Sequence, residues 1–450
     1  MKLKLLLLLS IITSALSAQQ IPRIINYLRP DIQYFRFNDQ SGINVFETGK
    51  SDTTLFTGIN VRIGGNFTQD FQAIRQSNRA DFVATTAAPT VNTNQLTKLT
   101  NGFNLAMANL TLDAQLADGI RMNVTMYLSS RHHEETWVKN GYIQIDKLPF
   151  LKSKLADSIM KNITVRIGAL EVDYGDQHFR RTDGGNAVYN PFIENYIMDA
   201  FATEIGTEVY YHSKGGFLAM AGITNGQLNP TVVASTKIDS ATGKLNKYAP
   251  AFHGKLGYDK QLTNDLRLRI TGSAYSIKST SSNTLFFGDR TGSHYFFVVE
   301  NTTATASANA FSGRYNPLFS QQVNAFMFNS LIKYKGVELF GTYEIANGRR
   351  IVDRNLRQVT QYAADLVYRF PAKKENFWIG ARYNRVKAAN PLNPDKITIS
   401  RIAGSTGVFI TKNLMMKVEY VNQAYGNFKS TDIRSGAEFH GMMLEAVVAF

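Results

Sequence analysis

The stretch Gly441-Met-Met-Leu-Glu-Ala-Val-Val-Ala-Phe450 decides how the rest of the chain is read. Met442, Leu444, Ala446, Val448 and Phe450 share one face of an extended backbone, and Glu445 falls on the other. At the opposite end, residues 1–18, MKLKLLLLLSIITSALSA, have the layout of a secretory signal: basic Lys2 and Lys4, an apolar core over Leu5–Ile12, then small residues. Cleavage after Ala18 and cleavage after Ser17 both fit. An exported chain that closes on an alternating strand with a terminal aromatic predicts an all-β fold, a transmembrane antiparallel β-barrel of the outer membrane.

Composition agrees. Removing 18 of the 450 residues leaves 432, long for one soluble domain and sufficient for a large barrel. Mean hydropathy is −0.19, and past the signal no run of about 18 apolar residues could span a bilayer as a helix. A barrel hides its hydrophobicity in every second residue, so a near-neutral average is expected. The 21 Tyr and 29 Phe against 2 Trp suit two interfacial girdles. Cysteine is absent, which excludes both a disulfide scaffold and a lipid-modified N-terminal Cys.

Working back from the C-terminus, the same period of two recurs between turn signals. Leu414–Tyr420 follows Lys412-Asn413; Phe377–Tyr383 follows Lys373-Lys374-Glu375-Asn376; Val337–Glu344 follows Lys335-Gly336. Leu266–Tyr275 follows Thr263-Asn264, and Phe217–Ile223 follows Ser213-Lys214-Gly215. The clearest hairpin brackets Asp118-Gly119, with Leu110, Leu112, Ala114 and Leu116 before it and Ile120, Met122, Val124, Met126 and Leu128 after it. Such segments, each at most about ten residues, predict about 16 tilted strands. The tight turns alternate with long polar stretches at Glu171–Glu204, Asn225–Pro250, Ser276–Gln321 and Asn422–Ser435. Short periplasmic turns and long outer loops are the expected asymmetry. The domain reading is therefore a signal at 1–18, an N-terminal segment at 19–54 and the barrel at 55–450. The N-terminal segment, rich in aromatics such as Tyr34, Phe35, Phe37 and Phe46, is either a first strand or an extension along the lumen or periplasmic rim.

Residues opposite the apolar stripes should face the lumen, because charge facing lipid at mid-depth is costly. They are basic at Arg62, Arg121, Arg166, Lys255, Arg267, Arg269, Arg382 and Lys417, and acidic at Asp113, Glu208, Glu338, Glu344, Glu419 and Glu445. Two readings stay open: the arginines favour anions through bidentate contacts, or they pair with these acids and keep the lumen wet. The formal charge of +14, or +12 once Lys2 and Lys4 are removed, fits anionic solutes, anionic lipid or an unselected solvated surface. Export argues against nucleic acid. The stretch Glu171–Glu204 sets Asp173, Asp176, Arg180, Arg181 and Asp183 among Tyr174, Phe179, Tyr189, Phe192 and Tyr196. This mix suits a loop folded inward to narrow a pore; an ordered surface loop or a trimer contact is the alternative.

His132-His133-Glu134-Glu135 does not make a metal site, since adjacent histidines on an extended strand point to opposite faces. No G-x-S-x-G, H-E-x-x-H or glycine-rich phosphate loop occurs, so no enzyme, metal or cofactor is predicted.

Three stretches carry a family likeness. RPDIQYFRFNDQSGINVFETGK (Arg29–Lys50), GINVRIGGNFTQDFQ (Gly58–Gln72) and above all VDYGDQHFRRTDGGNAVYNPFIENYIMDAFATEIGTEVYY (Val172–Tyr211) resemble trimeric outer-membrane porins of the DcaP-like and phosphate-selective-porin-like group. The resemblance covers most of the chain and is strongest in its first half. It implies a barrel of about 16 strands, a homotrimer, and passive uptake of small hydrophilic, often anionic, solutes across the outer membrane of a Gram-negative bacterium. It carries over no substrate site. The competing expectation is a structural or adhesive barrel whose lumen is closed and whose loops bind partners; a channel for hydrophobic substrates is a third.

Overall fold

The computed structural model describes residues 31–84, 89–131, 135–288, 290–390 and 393–450. The signal at 1–18, the start of the N-terminal segment, and the His132-His133-Glu134 cluster lie outside the described residues.

Sixteen strands form one closed antiparallel sheet. They are β1 (Asn60–Ser77), β2 (Met107–Ala117), β3 (Ile120–Ser129), β4 (Trp137–Ile145), β5 (Ile163–Glu171), β6 (Thr203–His212), β7 (Phe217–Thr224) and β8 (Ala251–Gln261). The second half comprises β9 (Leu266–Ile277), β10 (Gln322–Tyr334), β11 (Val337–Arg349), β12 (Arg357–Phe370), β13 (Phe377–Asn390), β14 (Asn393–Thr411), β15 (Leu414–Gly426) and β16 (Glu438–Ala449). Each strand pairs with its neighbours in sequence. Closure comes from β1, whose first half pairs with β2 (Asn60 opposite Gln115) and whose second half pairs with β16 (Ser77 opposite Glu438). Phe450 completes the seam: its N–H donates to the Gly65 carbonyl at 2.9 Å and its carbonyl accepts from the Gly65 N–H at 3.0 Å.

The expected turns all occur at one end of the barrel. Asp118-Gly119 requires its glycine, because Gly119 sits at φ 74° and a Cβ there would meet the Lys147 side chain at 2.5 Å. The expectation of strands no longer than about ten residues is corrected: β14 spans 19 and β1 spans 18. β15 likewise runs to Gly426, into the stretch read as a loop from Asn422. Trp137–Ile145 is a strand that the sequence pattern did not single out. One connection at the short-turn end is longer than the others, residues 146–162, and carries the helix α1 (Lys154–Met160) capped by Ser153.

Outward positions explain what solvent the wall meets. Ile63, Phe67, Leu256, Phe326, Phe328, Leu339, Leu366, Ile379, Ile402 and Leu444 are exposed, whereas Arg62, Asp113, Lys255, Arg269, Glu338, Arg382 and Glu445 are buried. This is the reverse of a water-soluble protein. Exposed aromatics form two bands: Tyr343, Tyr362 and Tyr383 on one level, and Tyr334, Tyr368, Phe370 and Phe377 nearer the short turns. Along β12 the bands are six to eight residues apart, from Tyr362 to Tyr368 and Phe370, or about 20–26 Å at about 3.3 Å per residue. With strands tilted by about 40°, that length is a height of about 15–20 Å, an outward apolar belt between aromatic girdles such as an outer membrane demands.

The interior is occupied. Residues 31–54 cross the short-turn mouth: Gln33 bonds the β2–β3 hairpin at Gln115 and Gly119, Lys50 meets Asp146 and the Ile163 carbonyl, and Gln40 bonds the turn carbonyls of Lys374 and Lys412. From the other end, residues 172–202 and 278–321 fold into the barrel. Val172, Tyr174, Ile193, Ile197, Met198, Val298 and Val299 there pack on inward-facing Val323, Met327, Val359, Val386, Val421, Phe439 and Met443 to make an apolar core inside the sheet.

Candidate functional site

The loop at 172–202 leaves β5, crosses the barrel and is pinned to the far wall by its own backbone. The N–H groups of Ile193, Ile197 and Met198 donate to Glu419 (2.8 Å), Asn384 (2.6 Å) and Gln361 (2.9 Å) on β15, β13 and β12. Carbonyls of Ala187, Asn190 and Phe192 accept from the Lys417 ammonium at 2.9–3.1 Å. Arg382 and Arg401 reach the carbonyls of Glu194 and Asn195 at 2.7 and 2.6 Å. Inward polar residues of β12–β15 thus satisfy a buried loop backbone that water would otherwise have to satisfy. Within the loop, Arg181 holds Asp199 through two hydrogen bonds (2.9 and 2.6 Å), and Arg314 of the second inward loop reaches Glu194 at 2.9 Å.

On the β8–β9 side the sequence-derived candidates meet in one buried ionic lattice. The Lys255 ammonium faces Glu47 (2.8 Å), Asp173 and Asp176 (3.3 Å). Arg269 takes Asp176 and Glu47 at 2.7 Å each and Asp259 at 3.1 Å; Arg267 also takes Asp259 at 2.7 Å. Burial raises the Glu47 carboxyl, yet Arg269 and Lys255 outweigh that and hold it at about 2. Despite burial, Lys255 and His178 likewise hold Asp173 well below the usual carboxylate range. His178 sits between Asp173 and Glu171, 2.9 Å from each. Burial alone would lower it, but hydrogen bonds to and the charges of both carboxylates lift it to about 9, so it is an imidazolium at neutral pH.

On the β1–β5 side a polar cavity of about 190 Å³ remains between the wall, the N-terminal segment and the inward loop. Arg121 and Arg166 enter it from the wall, Arg181 and Asp183 from the loop, Arg36 from the N-terminal segment, and His178 and Glu171 from the edge of the lattice. Arg121 is paired with Asp113 at 3.3 Å and with Gln144. Arg166 and Arg36 differ. Among the described residues, Arg166 bonds the neutral Gln144 (3.0 Å) and Tyr210 (3.3 Å), while Glu208 opposite it in register is turned to His253 and Tyr210. Arg36 bonds the carbonyls of Gly42 and Phe179 and lies 3.7 Å over the Tyr189 ring. A second cavity of about 490 Å³ at the short-turn end is bordered by Lys50, Lys161, Lys214, Lys260 and His212.

The candidates therefore separate. Arg121, Arg166, Arg181 and Asp183 line the polar cavity, with Arg62 close by, stacked on Phe35 and Phe37 at 5.1 Å. Lys255, Arg267, Arg269, Asp173 and Asp176 belong to the lattice. Arg382 is bonded to Asp365 beneath the loop, and Arg180 lies over the Phe340 ring and 3.6 Å from Glu338. Arg36, Glu47, His178 and Arg314 escaped the sequence reading. Arg36 and Glu47 lie in a stretch without period, Arg314 meets Glu194 across 120 residues, and His178 meets Asp173 and Glu171 within an irregular loop whose spacing carries no signal.

The closed sheet, its inverted polarity and its aromatic bands define an outer-membrane β-barrel with an inward-folded loop. Solved structures that it is similar to include an anion-selective porin from Comamonas acidovorans (10% identity, 87% of this chain and 100% of that one, TM-score 0.49). The outer membrane channel DcaP of Acinetobacter baumannii matches over 88% and 99% of the two chains at 12% identity and a TM-score of 0.48. Pseudomonas putida OprB matches over 87% and 94% at 10% identity and 0.49. No protein-family profile and no curated protein matches this sequence.

Proposed function

We propose that the protein is an outer-membrane porin of a Gram-negative bacterium, a homotrimer through which small hydrophilic solutes diffuse passively, with a preference for anions. The observation that carries this is the polar cavity of about 190 Å³, where the charged heads of Arg36 and Arg166 hydrogen-bond to neutral partners. A fixed positive potential in a narrow, poorly screened passage raises the local anion concentration. The Lys-bordered cavity at the short-turn end, which on this reading faces the periplasm, extends the same sign to the exit. The lattice sets Lys255, Arg267 and Arg269 against Glu47, Asp173, Asp176 and Asp259, so it offers no excess positive charge and serves to hold the loop in place. The reading is one of passage and not of catalysis.

A second reading has its own support: residues 31–54 and two loops fill much of the interior and bury an apolar core there, as a structural barrel with a closed lumen would. Reconstitution into a planar bilayer separates the two. Stable conductance steps with a reversal potential on the anion side in a salt gradient support the porin; silence from correctly folded protein overturns it in favour of the closed barrel.

A further inference from the structure

At the seam where the barrel closes, Asp70 of β1 stands directly opposite Glu445 of β16. Both side chains point inward and both residues are 1% exposed. Like charges directly across a ladder destabilise it, and a buried carboxylate without a partner is expensive. A cation is needed between them. Lys417 on β15 faces Glu445 in register and reaches one of its oxygens, but the same ammonium is committed to three loop carbonyls. His294, from the inward loop 278–321, is the other neighbour: its Nδ1 lies 2.6 Å from Asp70 Oδ2 and 3.2 Å from Glu445 Oε2. One ring nitrogen thus serves two carboxylates, and the buried Asp70 Oδ1 and Glu445 Oε2 accept no hydrogen bond.

We infer that Asp70, His294 and Glu445 form a binding site for a divalent transition-metal ion, which clasps the first strand, the last strand and the inward loop together. Their three ligand atoms lie within 4.8 Å of one another. One imidazole nitrogen and two carboxylate oxygens suit Zn²⁺ or Mn²⁺, whereas Ca²⁺ and Mg²⁺ prefer an all-oxygen set. The ligands are positioned before any ion arrives. The His294 N–H donates to Glu194 at 2.6 Å, its carbonyl accepts from Asn104 at 2.7 Å, and Lys417 orients Glu445. Metal binding expels the proton from Nδ1 and leaves Lys417 in place, so the charge of the two facing carboxylates is met from both sides.

The test uses the full-length barrel in detergent, stripped with chelator, on a His132→Ala, His133→Ala background that removes this pair of sequence-adjacent histidines from the count. Zn²⁺ is titrated and bound metal measured per chain, alone and after Asp70→Asn, His294→Gln or Glu445→Gln. The expected result is one Zn²⁺ per chain, affinity reduced at least tenfold by each variant, and a Zn²⁺-dependent rise in unfolding temperature that the variants lack. Should a variant fail to fold, Co²⁺ added to the parent protein gives a second readout, a visible absorption band displaced by Zn²⁺. No stoichiometric metal and no Co²⁺ band would overturn the inference and leave a protonated His294 as the sole bridge. Conductance plays no part in these readouts, so the outcome is independent of the porin reading.

Discussion

Changing Arg166 to Gln removes one of the two cavity cations whose hydrogen bonds, among the described residues, go to neutral groups, while a glutamine keeps a hydrogen-bonding head for Gln144 and Tyr210. The cavity holds about 190 Å³, so an ion inside it stays close to the guanidinium. At about 8 Å a unit charge is worth about 0.5 kcal/mol in a medium as polar as water. An anion loses that attraction and a cation loses the matching repulsion, so the anion-to-cation permeability ratio shifts by about 1 kcal/mol, or about sixfold. Screening reduces this: with a Debye length of about 10 Å at 0.1 M salt the change is about twofold, and at 1 M, with about 3 Å, it nearly vanishes. The assay is the reversal potential of single channels in a tenfold salt gradient, repeated at rising mean ionic strength. Arg166→Lys keeps the charge and should keep the ratio. An Arg166→Gln channel with an unaltered ratio at low salt, or an equal shift in Arg166→Lys, would refute the assignment of selectivity to fixed charge in this cavity.

Three further outcomes follow from particular contacts. His178, lifted to about 9 by Asp173 and Glu171, contributes loop stability that is fully present below about 6.5, the pKa of an unperturbed histidine, and is lost as pH rises through about 9. Protease protection of the inward loop in purified barrel should therefore fall above that pH, and His178→Gln should show no such step. Deleting Phe450 removes the two backbone hydrogen bonds to Gly65 that finish the seam and should lower the yield of heat-modifiable barrel; normal assembly would show the terminal residue to be dispensable. Epitope tags near Thr242 and Thr305 should be labelled on intact cells and one near Lys374 should not, and the opposite pattern would invert the topology.

The long-range part of the site was illegible for a simple reason. Arg314 meets Glu194 across 120 residues, and His294 meets Asp70 across 224. Neither partner carries a local signature, because an ion pair between two loops or between loop and wall leaves no period and no spacing. The loop's inward fold was legible only as a composition, acids and bases among aromatics. Its anchoring to Asn384, Gln361 and Lys417 depends on strands read separately from it. Pairing with the acids opposite the stripes holds for Arg121 with Asp113 and Lys417 with Glu445, whereas Arg269, Arg382 and Lys255 meet acids outside that set, among them Asp365 and Glu47, the latter in a segment without period.

The strands were legible where their two faces meet different solvents, and their apparent ends fall where that contrast reverses. On β13, Phe377, Ile379 and Tyr383 face outward with Arg382 and Asn384 inside; four residues on, Arg385 and Lys387 face outward and Val386 and Ala388 are buried. The alternation continues unbroken, but its sign flips. Below the tyrosine level the outside is lipid and the inside is polar, so apolar residues point out. Above it the outside is water and the inside is the apolar core made by the two inward loops, so apolar residues point in. A stripe followed along one face therefore stops at Tyr383, the seventh residue counted from Phe377, although hydrogen-bonded pairing runs on to Asn390. The same inversion ends the apparent strand at Tyr420 on β15, where outward Asn422 succeeds it and buried Val421 and Tyr425 lie inside. Read in this way, the flip in sign along a strand locates both the membrane boundary and the depth to which the loops fill the barrel, two quantities that a search for one continuous apolar stripe discards.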